Sequence, residues 1–160
     1  MQNETGKAGN QESIIATQKL RGDPKQLRPG AIVGRISIPR LRISSMVAEG
    51  VDDFILRHAV GHLPGTPTPN ANGTVVLAAH RDTFFRSLGN IQTNDLIQLD
   101  TADGKYQYKV TRTEVIDPHQ VEVLQSSPDS DLTLVTCFPF HYIGPAPKRF
   151  IVQALRLPSS

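Results

Sequence analysis

The stretch LTLVTCFPF at residues 132–140 combines a predicted strand with the single cysteine of the chain. Its first six residues are mostly apolar or β-branched, which favours a buried strand. Proline cannot donate to a sheet ladder, so Pro139 predicts that the strand ends close to Cys137. Side chains alternate along a strand, so Val135 shares the face of Cys137, and Thr136 lies on the opposite face. The cysteine is therefore expected where a rigid strand meets a loop, a common position for reactive groups.

A second apolar run, TVVLAA at residues 74–79, ends directly before His80. A continuous apolar run of this length is typical of a strand buried on both faces. Such a strand would deliver the imidazole to the rim of the fold, close to the polar residues Arg81 and Asp82. His80 also fits a surface histidine bonded to a backbone carbonyl, and this observation alone leaves both interpretations open.

Four other histidines compete with His80 for a functional role. His58 and His62 flank the end of a predicted short helix and are expected at the surface or as capping residues. His119 lies in a turn that contains proline. His141, in the loop after the cysteine, ranks second as a proton-transfer partner and is expected more in a substrate pocket. No spacing among these residues, a carboxylate and the thiol matches a metal site, so no metal is predicted.

Arg149 opens the last apolar run and follows the turn-forming segment GPAPK at residues 144–148. A charge at a strand edge is common, and that is one interpretation. The other is a guanidinium placed beside Cys137, where a cation favours the nucleophilic thiolate. A histidine can then pass protons to and from the amines of an acyl transfer. The permanently charged arginine can stabilise the oxyanion that forms during attack on an amide.

The order of predicted elements indicates an all-β fold. Strands are predicted at residues 32–38, 41–48, 74–79, 96–99, 106–116, 132–137 and 150–157. Helical spacing predicts one short helix at 51–60, and the proline- and glycine-rich segment 61–73 is predicted to be a loop. A change of side-chain phase within 106–116 predicts a bulge or a bend. About eight short strands with little helix favour a β-barrel or sandwich.

Composition is that of one globular domain. The chain has 160 residues, of which 38% are hydrophobic and 20% charged, and its formal net charge is +2. With no dense basic run, nucleic-acid binding is not expected. One cysteine excludes an internal disulfide, and no apolar stretch reaches the roughly 20 residues of a membrane span. Residues 1–30 are predicted to be a flexible stalk with a short helix near 12–20, and residues 31–160 the folded domain.

Several of these segments resemble the sortase family of cysteine transpeptidases. TLVTC at residues 133–137 is similar to the family signature TLxTC, and Arg149 lies where the family places its arginine. AAHRDTFF at 78–85 resembles the family's histidine motif, and GHLPGT at 61–66 resembles the loop that usually precedes it. The stretches HRDTFF and YIGPAPKRF look most like class D. The resemblance extends from about residue 32 to residue 157.

The resemblance implies an eight-stranded sortase-type barrel and a defined reaction. It implies cleavage of an LPxTG-like sorting signal between Thr and Gly through a thioacyl intermediate on Cys137. An amine acceptor, such as a peptidoglycan stem peptide, would then resolve the intermediate and attach the protein to the cell surface. The resemblance places the enzyme on the extracytoplasmic face of the bacterial membrane. Residues 1–30 are then expected to be the membrane-proximal stalk of a longer protein whose N-terminal anchor lies outside this chain.

The resemblance also implies roles for individual residues. His80, Cys137 and Arg149 would be catalytic. Residues expected to contact substrate or to orient the histidine are Ala78, Asp82, Thr136, Phe138 and His141. No cofactor is implied. No acidic cluster resembles the calcium site of class A sortases, so no required metal is expected.

Two alternatives stay open on the sequence. A cysteine hydrolase on the same scaffold would use the same three residues and release the acyl group to water. A non-catalytic, peptide-binding β-barrel would bury Cys137 as a small apolar side chain. An L,D-transpeptidase also uses one cysteine and one histidine, but the FPF that follows Cys137 does not resemble its motif.

Overall fold

Eight strands close into a barrel in the computed structural model, which describes residues 27–80, 84–120, 130–138 and 146–158. The strands are β1 (Ile32–Ile38), β2 (Ile43–Glu49), β3 (Val60–His62), β4 (Val75–Ala78), β5 (Leu96–Thr101), β6 (Gly104–Ile116), β7 (Leu132–Phe138) and β8 (Lys148–Arg156). Within these described residues they are accompanied by helix α1 (Asp53–His58) and 3-10 turns at Pro39–Leu41 and Leu88–Asn90. The predicted all-β fold with eight strands and little helix is confirmed.

The order of strands around the barrel brings distant parts of the chain together. Neighbours follow the sequence β8, β6, β5, β1, β2, β3, β4, β7 and back to β8. The pairs β2–β3 and β4–β7 are parallel, and the other six are antiparallel. Strand β7 therefore lies between β4 and β8. The strand that carries Cys137 is flanked by the strand before His80 and the strand that carries Arg149.

The main core fills the inside of the barrel. Alternate side chains of each strand point inward, as with Ile36 and Ile38 of β1, Tyr108 and Val110 of β6, and Leu134 of β7, all of which are at most 1% exposed. Burying an aliphatic or aromatic side chain of this size contributes roughly 1.5–3 kcal/mol. Closure also pairs both edges of the sheet, so none of the eight described strands is left as a long open edge.

A bulge in β6 redirects its side chains, as the sequence predicts. The register of β8 against β6 skips Thr111 between Gln153 and Ala154. An extra residue shifts the alternation by one position. Val110, before the bulge, packs inside the barrel, and Ile116, after it, packs on the outer face.

That outer face holds a second, smaller apolar cluster. Its buried members come from β4, β6, β7 and β8 and are Val76, Ile116, Val135 and Ile151, with Leu63 and Ala78 packed against them. Val135 shares its face of β7 with Cys137. The outer cluster therefore lies on the same face of the sheet as the cysteine, next to it.

The segment between β2 and β4 differs most from the sequence prediction. The helix predicted at 51–60 covers only Asp53–His58, because the Asp52 side chain caps it by accepting from the Ile55 amide at 2.9 Å and the chain turns extended at Ala59. Residues 60–62 were expected to be helix end and loop and instead form β3, parallel to β2. Three residues are too few to display a periodicity, so this strand was missed.

Gly61 allows α1 to lie close against the sheet. A Cβ at this position would stand 2.2 Å from the Gly50 carbonyl oxygen and 2.8 Å from Leu56 Cδ2. Any side chain would push the helix or the 50–51 backbone outward. The glycine thus sets how near α1 approaches β3 and, through β3, the end of β4.

Most of the predicted stalk lies outside the described residues. Residues 1–26, with the helix predicted at 12–20, belong to this part of the chain, so the boundary near Gly30 stays a prediction. Among the described residues, none of the helices combines the length and apolar character that crossing a membrane requires.

Candidate active site

Arg149 lies directly opposite Cys137 in the antiparallel pair β7–β8. Cα partners in such a pair have their side chains on the same face of the sheet. The next pairs along the ladder include Ile151 with Val135, and both of these side chains belong to the outer cluster. By alternation, Cys137 and Arg149 therefore share the outer face, at the end of the ladder where β7 ends and β8 begins. We call this end of the barrel the rim.

On the other side of β7, the pairing with β4 relates His80 to Cys137. In the parallel pair β4–β7, Ala78 is level with Val135. The ladder continues past the end of β4, because the Ala79 amide donates to the Val135 carbonyl at 3.2 Å. His80 follows Ala78 by two residues, as Cys137 follows Val135, so continuing the same register puts His80 level with Cys137, on the face of Val76 and Ala78. The continued register thus puts an imidazole just beyond β4, a thiol in β7 and a guanidinium in β8 at one level, although their motifs are far apart in sequence.

The surroundings of Cys137 fit a reactive thiol better than a packing residue. Its side chain is half-buried, whereas the inward-facing Leu134 is fully buried. The residue lies one position before the end of β7. An accessible thiol beside a permanent cation is the arrangement that favours nucleophilic cysteines.

Two backbone carbonyls hold the Arg149 guanidinium. Its Nη1 donates to the carbonyl of Lys148 at 2.8 Å and to that of Ala146 at 3.1 Å. Both bonds use the same nitrogen, and a guanidinium carries further N–H groups on Nη2 and Nε. The side chain is therefore anchored through one nitrogen in a way that suits donation through the others.

An ion pair joins the two strands that meet at this rim. Lys148 Nζ donates to the carboxylate of Asp117, which links the start of β8 to the end of β6. This hydrogen bond and the lysine's charge hold the pKa of Asp117 below its usual range. The contact lies beside Arg149, whose partner on β6 is Ile116.

Asp53 of α1 is a rim residue that sequence reasoning missed. Its Oδ1 lies 3.7 Å from His80 Nε2, and its Oδ2 lies 3.3 Å from Arg57 Nη2 one turn along the helix. The only local sign was an acidic residue in the first helical turn, which is common on any helix. That α1 comes close to His80 follows from its packing against β3 and from the pairing of β3 with β4, which no local pattern reveals.

The remaining predicted substrate residues have different placements. Ala78 lies on the outer face between His80 and the outer cluster. Thr136 is 2% exposed, on the opposite face from Cys137, and its hydroxyl has no hydrogen-bond partner within the described part of the chain. Asp82 and His141 lie outside the described residues, and Phe138 is described by its backbone alone. Substrate contact by these five residues stays a prediction.

A second polar centre lies away from the rim, and it corrects the expectation for His62. His62 was predicted at the surface but is 2% exposed, because the parallel register of β2 and β3 places it opposite Glu49. Its Nδ1 lies 2.6 Å from Glu49 Oε1, and its Nε2 lies 2.9 Å from the Pro67 carbonyl. Thr66 Oγ1, 3.2 Å from Nε2, donates its own hydrogen to the Leu63 carbonyl.

These contacts determine where the protons of His62 lie. The Pro67 carbonyl can only accept, so Nε2 must carry a hydrogen. Nδ1 faces a carboxylate, so a further proton is held between His62 and Glu49. Burial lowers the pKa of His62, but its bonds to Glu49 and the Pro67 carbonyl outweigh that effect, and the pKa lies above its ordinary value. By contrast, His58 is exposed and donates to the Phe54 carbonyl, as a capping histidine would.

The structure offers no metal-binding cluster among the residues it describes. No group of three or more histidine, cysteine, aspartate or glutamate side chains is placed to hold an ion there.

Solved structures of sortases have the same fold. A sortase C from Clostridium perfringens SM101 is 29% identical, covers 83% of this chain and 73% of its own, and aligns with a TM-score of 0.73. A sortase D5 transpeptidase from Clostridium perfringens is 27% identical, with 83% of both chains covered and a TM-score of 0.74. The expected sortase-type barrel is confirmed.

Sequence relatives give the same assignment. Sortase D of Bacillus subtilis is 33% identical over 80% of this chain and 65% of its own length. Sortase A of Listeria monocytogenes is 30% identical over 67% of this chain and 50% of its own. The chain thus spans between half and two thirds of these relatives. The likeness to class D agrees with the Bacillus subtilis and sortase D5 matches, alongside matches to classes A and C.

The sortase domain model matches residues 36–157, a segment that contains all eight strands except the first residues of β1 and that includes His80, Cys137 and Arg149. The chain therefore belongs to the sortase family.

Proposed function

We propose that this chain is a cysteine transpeptidase that attaches proteins to the cell surface. In this proposal it cleaves an LPxTG-like sorting signal between Thr and Gly and joins the new carboxyl end to an amine, such as that of a peptidoglycan stem peptide. The observation that carries the proposal is the row of His80, Cys137 and Arg149 across three neighbouring strands. Family membership supports the reaction class.

In the first half-reaction, the Cys137 thiolate attacks the carbonyl carbon of the threonine. The carbonyl oxygen becomes an oxyanion, and Arg149 donates to it. Loss of one such donor typically costs about 3 kcal/mol of transition-state stabilisation. The C–N bond then breaks, His80 gives its proton to the departing glycine amine, and the acyl group remains on sulfur as a thioester.

In the second half-reaction, the acceptor amine attacks the thioester carbonyl. His80 takes a proton from the amine, the C–S bond breaks and the thiolate of Cys137 is regenerated. The product is a new amide, and the proton count is restored. Leu63 and Ala78, the partly buried side chains packed against the outer cluster, offer apolar contacts for the leucine and proline of a sorting signal. Work at the extracytoplasmic face, with an N-terminal membrane anchor, is part of the same proposal.

The test is a peptide library of the form LPxTG, varied at each position and incubated with and without added amines, with products identified by mass spectrometry. We expect cleavage after threonine, a ligated product when amine is present, and an acyl adduct on the intact protein that added amine removes. Cys137→Ala should yield none of these. Cleavage that releases only the free acid in the presence of amine would identify a hydrolase.

A matched pair of histidine variants separates chemistry from general damage. His80→Gln should abolish both products, while His58→Gln, which alters an exposed histidine bonded to its own helix, should retain them. Retained turnover in Cys137→Ala would reject the mechanism. Binding of the peptide without any cleavage by the wild-type protein would favour a non-catalytic barrel.

A further inference from the structure

Among the residues that the structure describes, the carboxylate of Asp53 faces the His80 ring. Asp53 belongs to α1, whereas His80 follows β4. Its Oδ1 is 3.7 Å from His80 Nε2. A separation of this kind is longer than a hydrogen bond but within the range of a direct charge interaction. Asp82, two residues after His80, is the residue that sequence reasoning suggests for this place, and it lies outside the described residues.

The two oxygens of Asp53 face different cations. While Oδ1 faces His80, Oδ2 lies 3.3 Å from the guanidinium of Arg57, one helical turn further on. Side chains four residues apart on a helix are neighbours, so Arg57 limits the rotation of the carboxylate. Arg57, Asp53 and His80 thus form a chain in which each carboxylate oxygen has one positively charged or chargeable partner.

The fold fixes the position of this carboxylate relative to the histidine. Helix α1 is capped by Asp52, buries Ile55 at 6% exposure and approaches β3 closely through Gly61. Strand β3 pairs with β4, which leads directly into His80. The distance between Asp53 and His80 is therefore set by backbone packing and not by one long flexible side chain.

We propose that Asp53 is a positioning residue for His80: it holds the imidazole by charge attraction in the orientation from which the ring protonates the departing amine. This inference rests on the proposed function, because it assigns His80 a proton-transfer role. The Asp53 side chain is 75% exposed and that of His80 35%. Water and salt weaken an interaction at such a site, so its contribution is modest and depends on ionic strength.

The kinetic test compares Asp53→Asn with wild type in the peptide ligation assay. We expect kcat to fall about three- to five-fold at low salt, the size typical of an exposed charge pair, with KM unchanged within about two-fold. Asp53→Glu, which keeps the charge in the first helical turn, should recover at least about half of the lost kcat. In roughly 1 M salt, where screening acts over about 3 Å, the wild type and Asp53→Asn should converge.

Asp103→Asn is the matched control, since it removes an exposed aspartate in the turn between β5 and β6, at the opposite end of β6 from the rim. Its kcat and unfolding midpoint should equal those of the wild type. The proposal is overturned if Asp53→Asn matches wild-type kcat at low salt. A loss that Asp53→Glu does not recover, or that persists in 1 M salt together with a lower unfolding midpoint, also overturns it, because it would show that Asp53 only supports the helix.

A second measurement does not depend on turnover. In proton–carbon spectra of labelled protein, the Cε1–H signal of the His80 ring should move in Asp53→Asn at low salt but not in Asp103→Asn. An unmoved signal rejects the Asp53 proposal. If the wild type gives no more product than Cys137→Ala, the proposed function fails, and this spectroscopic result still decides whether Asp53 acts on His80.

Discussion

Two histidines of this barrel, His62 and His80, have the same side chain in very different surroundings. His62 is buried in the wall, with Nδ1 against Glu49 and Nε2 against the Pro67 carbonyl. His80 lies at the rim with a third of its side chain exposed and a carboxylate 3.7 Å away. The contacts of His62 hold its ring in place inside the protein, whereas the ring of His80 is open to a substrate. Under the proposed function, the surroundings, and not the residue type, separate a structural from a catalytic histidine.

The largest effect is expected at the rim. His80→Gln should lower kcat/KM about 1,000-fold or more, within the range attributed to general acid–base catalysis, because the leaving amine then departs without a proton. The unfolding midpoint should stay close to that of wild type, since the side chain is partly exposed. Peptide ligation kinetics and thermal unfolding of the same samples check both statements. A variant that is equally active, or that is unfolded, would contradict this assignment.

Substitution of the buried histidine should lower the stability of the fold and leave the activity of the folded protein unchanged. His62→Leu removes the partner of a buried carboxylate, and an uncompensated buried charge costs about 3 kcal/mol of unfolding free energy. Urea unfolding near pH 6 measures this loss, while the folded fraction should keep its ligation rate.

The double variant Glu49→Gln/His62→Leu is the control for that prediction. It removes the buried carboxylate that lost its partner and should recover part of the lost stability. Equal stability of His62→Leu and wild type would mean that the pair contributes little.

Gly61→Ala tests the link between the two histidines, because Gly61 neighbours His62 in β3 and sets the approach of α1. The added Cβ would overlap the Gly50 carbonyl oxygen, and overpacking of this kind costs about 2 kcal/mol. We expect a lower urea midpoint and a smaller loss of kcat, since Asp53 moves with the helix. An unchanged urea midpoint would show that the helix packs less tightly than the contact at Gly61 indicates.

The smallest effect is a dependence of stability on pH. The pKa of His62 is higher in the folded protein than the ordinary value of about 6.5, because its bonds to Glu49 and Pro67 outweigh the opposing effect of burial. The proton therefore stabilises the fold fully below that ordinary value, and this contribution is lost as pH rises through the folded pKa. A cleft of about 750 Å³ beside the pair gives water access for this exchange.

Urea unfolding between pH 6 and pH 9 should therefore show a falling free energy for wild type. The Glu49→Gln/His62→Leu variant, which still contains Cys137, should show a flatter profile over the same range. Parallel profiles would assign the dependence to other groups.

Local patterns were sufficient for much of the fold. The strand predicted at residues 32–38 has the same bounds in the structure, and the bulge predicted in β6 is present at Thr111. Both depend on the alternation of side chains along a strand, a pattern that consecutive residues of the sequence show. The short strand β3 and the shortened helix α1 were not predicted well, because tertiary pairing of β2, β3 and β4 decides where each begins and ends.

The sequence by itself determined the family, the all-β character and the three residue types proposed for catalysis, because motifs and periodicity are local properties of the chain. Only the tertiary structure decided that the strand leading into His80 and the strand of Arg149 flank the strand of Cys137. It also decided that His62 is buried against Glu49 and that Asp53 faces His80. The reason is that strand order in a closed barrel depends on hydrogen bonds between segments far apart in sequence. No local pattern specifies which of these segments become neighbours.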